Sequence, residues 1–131
     1  IVGGYYDAAN VLHGYLRSAT GVYSTIDVAG ASATFLSGIN NAGWAVGGYD
    51  VGATAHAFVR APSGSITTID APGATVTSGT GINNLGDIVG QYCDTANVCH
   101  GFVAAPVPEP ASLLLMTAGL AVFLMRRLRR P

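Results

Sequence analysis

Gly38–Tyr49 reads GINNAGWAVGGY, and Gly81–Tyr92 reads GINNLGDIVGQY, an ungapped match at an offset of 43 residues. The offset persists upstream, where Ser24–Asn40 (STIDVAGASATFLSGIN) aligns with Thr67–Asn83 (TTIDAPGATVTSGTGIN). A further comparison sets Ile1–Leu16 against Ile88–Val103 at an offset of 87, with 10 of 16 positions identical. Self-similarity at such a period marks an array of supersecondary units, each unable to bury its apolar face alone. Two and a half copies of a unit of about 43 residues account for residues 1–106.

Within the middle copy, AVGGY, HAFVR, SITTID and TVTSGTGI are short runs rich in β-branched and aromatic residues, which predicts four strands. Between such runs stand APSG, DAPGA and NNAG. There Pro sets φ, Gly supplies positive φ, and Asn or Asp side chains close Asx turns. Four strands in 40 to 45 residues predict an all-β fold of β-propeller-like blades, unclosed because two and a half units fall short of a ring of four to eight. A β-solenoid or a stack of small sheets is the alternative architecture. Ile1 falls inside a repeat, and no charged start leads into an apolar run, so no signal peptide is visible and the chain reads as the C-terminal part of something longer.

The segments VLHGYLR, TAHAFVR and VCHGFV each follow an IVG-x-Y-like element, with GINN-x-G ahead of it in the last two copies. In this order they resemble the bacterial extracellular HAF repeat. The resemblance spans nearly all of residues 1–106 and implies a propeller-like repeat protein that is secreted or displayed on the surface.

Charge is distributed unevenly. Residues 1–106 hold Asp7, Asp27, Asp50, Asp70, Asp87 and Asp94 against Arg17 and Arg60, a net −4, whereas the tail holds Arg126, Arg127, Arg129 and Arg130 against Glu109, a net +3. Lys is absent from the sequence. An acidic body without a basic patch argues against nucleic-acid binding, which needs cations opposite phosphates.

His13, His56 and His100 occupy one slot in successive units, each just before a small residue and an aromatic. One His per unit is a repeat feature rather than the convergent spacing of a metal or catalytic cluster, so a structural role is expected, such as bonding backbone at a strand start. A ring of sites around a channel is the competing reading. Asp27 and Asp70 end the TID strands, Asp7, Asp50 and Asp94 open the loop before each His, and Asn40 and Asn83 open the GINN turns. Turn capping explains them, and no metal site or cofactor is expected. Cys93 and Cys99 replace Tyr6 and Leu12 of the first unit at opposite ends of one loop. If those positions face each other across a hairpin, a disulfide substitutes for an apolar cross-strand pair, which implies an oxidising compartment. No nucleophile elbow, phosphate-binding glycine loop or paired catalytic carboxylates occur, so the sequence makes no case for an enzyme.

Pro106, Pro108 and Pro110 are expected to end regular pairing from Ala105 onward. Ala111–Met125 carries no formal charge, which is about 22 Å as a helix. The four arginines that follow can snorkel and hold their end on the cytoplasmic side. A transmembrane helix over 111–125 is therefore expected. Val107, Pro108, Glu109 and Pro110, the apolar run and the Arg126, Arg127, Arg129, Arg130 cluster together resemble a PEP-CTERM sorting signal, occupying residues 107–131. By that resemblance an inner-membrane exosortase recognises Pro108, Glu109 and Pro110, removes the helix and passes the body to the surface or matrix of Gram-negative bacteria that make exopolysaccharide.

Two functional readings follow. One is a non-enzymatic surface or matrix protein whose acidic, hydroxyl-rich body contacts exopolysaccharide or neighbouring surface proteins in a biofilm. The other is a secreted propeller enzyme with its active residues outside these repeats, or a repeat protein that stays anchored in the periplasm.

Overall fold

Strands begin and end where the turn residues dictate. The computed structural model describes residues 1–106 and 123–127. It contains β1 (Val2–Tyr6), β2 (Leu12–Arg17), β3 (Tyr23–Ile26), β4 (Ala33–Ile39), β5 (Ala45–Val51), β6 (Thr54–Arg60), β7 (Ile66–Ile69), β8 (Ala74–Ile82), β9 (Ile88–Asp94), β10 (Cys99–Pro106) and β11 (Phe123–Arg127). The described residues are all-β, as the repeat predicted. Gly43 and Gly86 sit at φ +88° and +86° in the two NN-x-G turns, a left-handed conformation that glycine adopts at no steric cost.

These strands form three antiparallel meanders: β1-β2-β3, then β4-β5-β6-β7, then β8-β9-β10 with β11 along its outer edge. All four strands expected of the middle copy are present, but the sheet unit starts one strand earlier than the sequence comparison. The run TVTSGTGI becomes β8 and pairs with β9 of the following meander, while β4 is the strand that completes the middle sheet. Only the single parallel pair Ala55↔Val76 links β6 to β8. Among the described residues the sheets do not close into a ring.

Alternation along each strand sends successive side chains to opposite faces, and the meanders stack through those faces. Between the first two lie Ile26, Leu36, Ala45 and Phe58, flanked by Val2, Leu16 and Tyr49. Between the second and third lie Val46, Ala57, Val59 and Ile69 on one side and Ile88, Tyr92, Phe102 and Ala104 on the other. Phe58 and Phe102, fully buried, each contribute about 1.5–3 kcal/mol of apolar burial. The innermost strands β4 and β8 carry matching bulges, between Leu36 and Gly38 and between Gly79 and Gly81. Opposite them stand Gly47 and Gly90, where a Cβ would overlap the carbonyl oxygens of Phe35 and Ser78. Glycine is required there because the bulged backbone crosses so closely.

The tail departs from expectation. Ala105 and Pro106 remain in β10, paired with Leu124 and Phe123 of β11. Proline at the last position of a strand removes a single N–H from the end of the ladder, so the pairing survives. Residues 123–125, expected at the end of a transmembrane helix, belong to strand β11, which runs antiparallel to β10 at the edge where β7 pairs with β6 in the middle meander. The rest of that helix, 111–122, lies outside the described residues. No helix among the described residues is long and apolar enough to cross a membrane.

Candidate functional site

His13, His56 and His100 lie near the start of β2, β6 and β10, in each case the strand after the IVG-x-Y element, and each meets at least one nearby aspartate side chain. His13 is held from both sides: Nε2 lies 3.0 Å from Asp7 Oδ2, and Nδ1 lies 2.9 Å from Asp27 Oδ2. Asp7 in turn closes its own loop, its Oδ1 accepting the backbone N–H groups of Ala9 and Val11, both at 2.9 Å. Asn10 of that loop has φ 63°, in the left-handed region that Asn tolerates better than most residues. The Tyr5 ring stacks on the imidazole at 5.3 Å between centroids. Three groups, Tyr5 of β1, Asp7 of the turn that follows it and Asp27 just past β3, thus converge on one imidazole.

The other copies vary this clamp. In the middle one, His56 Nδ1 meets Asp70 Oδ2 at 2.7 Å, and Tyr49 stacks on the ring. The loop there is one residue shorter than in the first copy, Asp50 does not reach the ring, and the Thr54 hydroxyl takes the second nitrogen at 3.1 Å. In the last copy Asp94 rebuilds the loop of Asp7, accepting from Ala96 and Val98, and meets His100 Nε2 at 3.2 Å, with Tyr92 beside the ring. The expected backbone bond from each histidine is thus replaced by carboxylate partners. Asp27 and Asp70 lie one residue past β3 and β7 rather than at their last positions, and their role in the clamp becomes visible only once β3 and β7 fold beside the histidine strands.

Electrostatics follow from this geometry. A neutral imidazole donates from one nitrogen only, whereas both His13 nitrogens face carboxylates. The hydrogen bond to Asp7, then that to Asp27, favours the doubly protonated form and raises the His13 pKa above its ordinary value. The Val11 N–H, followed by His13, holds Asp7 below the usual carboxylate range. Asp94 is lowered in the same way, first by the Val98 N–H and then by His100. The carboxylates grip opposite edges of the ring instead of sharing a point, and among the described residues no group of three or more His, Cys, Asp or Glu side chains could hold a metal ion.

Asn40 and Asn83 organise the GINN turns. Asn40 Oδ1 accepts from Ala42 and Trp44, and Asn83 Oδ1 accepts from Leu85 and Asp87. They also couple successive units: Asn40 Nδ2 donates to the Asn83 carbonyl, and the Asn41 N–H donates to Asn84 Oδ1. Beside this ladder, Trp44, Asn84, Leu85, Gly86 and Pro106 help line a half-open cavity of about 270 Å³. Cys93 and Cys99 are directly opposite one another across the β9–β10 hairpin and form a disulfide, as Tyr6 and Leu12 are opposite across β1–β2.

Sequence reasoning passed over Tyr5, Tyr49 and Tyr92, although the invariant Tyr slot of the IVG-x-Y element was their signal. It also passed over Thr34 and Thr77, both fully buried, whose Oγ1 atoms accept from the N–H groups of Val28 and Ala71. Their shared slot in ATFLSGI and ATVTSGTGI was the available sign.

Val107, Pro108, Glu109, Pro110, Arg129 and Arg130 lie outside the described residues, and Arg126 and Arg127 end β11. Residues 106–130 match the model of the PEP-CTERM protein-sorting motif. A chain carrying that motif is of the exported class, passing through a membrane during sorting and processed by an exosortase. Neither the curated proteins nor the solved structures contain a match to this chain.

Proposed function

We propose that the protein is a bacterial surface or extracellular-matrix component, delivered by exosortase and released from its tail, with a non-enzymatic role in biofilm. The observation that carries this reading is the sorting motif at residues 106–130. The repeat body is best read as a HAF-like, propeller-like array spanning residues 1–106, with the signal at 107–131. A disulfide closing the last hairpin suits an oxidising compartment beyond the cytoplasm. The histidines support a structural role, since each is tied into its own meander by neighbouring carboxylates or a hydroxyl. For polysaccharide contact, Trp44 beside the Asn84 amide combines an aromatic surface with a polar group on one depression.

The test is mass spectrometry of the mature C-terminus, after expression of the complete gene in a host with its exosortase and separation of envelope from matrix. A C-terminus near Glu109 in the matrix fraction is expected. Arg130 and Pro131 still attached, in the inner membrane, would make the protein a permanently anchored periplasmic repeat protein and end the matrix reading.

A further inference from the structure

Among the described residues strand β1 is the edge of its sheet, paired on one side with β2. Its counterparts β5 and β9 each carry a second neighbour, the bulged inner strands β4 and β8. The residues that receive those inner strands recur in β1. Gly3 stands where Gly47 and Gly90 stand, the positions at which a Cβ would overlap a crossing carbonyl. Val2 stands where Val46 and Val89 stand; the Val89 carbonyl accepts the Thr80 hydroxyl at 3.1 Å, and the Val46 carbonyl lies 3.2 Å from Ser37 Oγ, whose shorter contact, 2.5 Å, is to the Gly79 carbonyl. Tyr5 stands where Tyr49 and Tyr92 stand, opposite Thr34 and Thr77.

Exposure shows what the first meander has in place of that neighbour. Tyr5 is 40% exposed where Tyr92 is 8%. In the middle meander Leu36 and Ile39 of the inner strand share a core with Ala45 and Phe58, the equivalents of Ile1 and Tyr15. An unpaired edge whose glycine, valine and tyrosine match two occupied edges is a template for strand addition.

We propose that the open edge of β1 is a strand-acceptor site, which takes an extended peptide of the pattern Thr-x-x-Ser/Thr-Gly-Ile in antiparallel register. That pattern is common to Thr34–Ile39 and Thr77–Ile82, and both of those strands are already engaged. The donor is accordingly a further repeat unit of the same kind. Its threonine lies opposite Tyr5, its bulge faces Gly3, and its Ser or Thr hydroxyl donates to the Val2 carbonyl. The inference does not depend on the sorting reading, because it rests on the edge of β1 and its counterparts in the repeat body.

To test it, a copy of Ser32–Trp44 is joined directly ahead of Ile1 in the full chain, which reproduces the turn that links β4 to β5. Hydrogen exchange is then followed by mass spectrometry in mild detergent. Amide exchange over Val2–Tyr6 is expected to slow by at least about tenfold relative to the unextended chain. An extension whose copy of Leu36 is Pro leaves the acceptor untouched but breaks the pairing, and should restore fast exchange. Equal exchange with the two extensions would overturn the proposal. So would an unextended chain in which Val2–Tyr6 becomes protected as concentration rises, since that assigns the edge to a second copy of the protein.

Discussion

Replacing Cys93 by Tyr and Cys99 by Leu transplants the pair that the first meander uses at the same place, Tyr6 opposite Leu12. The two hairpins share their loop geometry, with Asn10 and Asn97 both at φ 63° and Asp7 and Asp94 making the same pair of backbone contacts. The exchange therefore isolates the covalent link. Closing a loop of sequence separation 6 removes unfolded-chain entropy amounting to about 2.2 kcal/mol at 25 °C. An apolar cross-strand pair returns about 0.2–1 kcal/mol. The net loss is about 1–2 kcal/mol, or roughly 5–15 °C in melting midpoint for a domain of this size. Circular-dichroism melting of three samples measures it: oxidised wild type, wild type held in reductant, and the double variant. The variant should melt between the other two. A midpoint for the reduced wild type equal to that of the oxidised protein would refute the reasoning, because the link would then contribute nothing. A variant melting below the reduced protein would refute the equivalence of the two hairpins.

Two further perturbations probe the repeat interior and the clamps. Gly90→Ala places a Cβ against the Ser78 carbonyl and within 2.7 Å of the Phe102 ring, whereas at Gly81 the nearest atom is Val89 Cγ2 at 3.4 Å. Gly90→Ala should cost about 1–3 kcal/mol or more in urea unfolding, and Gly81→Ala much less; equal losses would contradict the close-crossing account. The raised pKa of His13 contributes stability fully below about 6.5, lost as pH rises through its folded value, while the lowered pKa of Asp7 contributes above about 3.9, lost as pH falls through its folded value. Wild type should therefore exceed His13→Gln by more at about pH 5 than at about pH 9 in urea midpoint, and the opposite order would rule out the clamp as an ion pair.

The repeat, the all-β class, the four strands of the middle copy and the facing cysteines were legible in the sequence for one reason. Each depends on local chemistry: β-branched runs, glycine and asparagine in turns, and a register that a hairpin loop sets by its own length. The sorting motif is legible on the same ground, since a short linear signal is read from contiguous residues.

Contacts between strands distant in sequence were decided by tertiary structure alone. Nothing in TVTSGTGI says that it completes the sheet that follows; the bulge opposite Gly90 and the close crossing at Ser78 do. His13 bonds Asp27, fourteen residues away, because β3 folds back along β2. The strand formed by Phe123–Arg127, in a segment whose apolar run and arginines suggested a helix, pairs with β10 because that strand offers an edge. Local propensity specifies which segments extend and where they turn, but an edge, a face or a carboxylate within 3 Å of a ring exists only after the chain has folded back on itself.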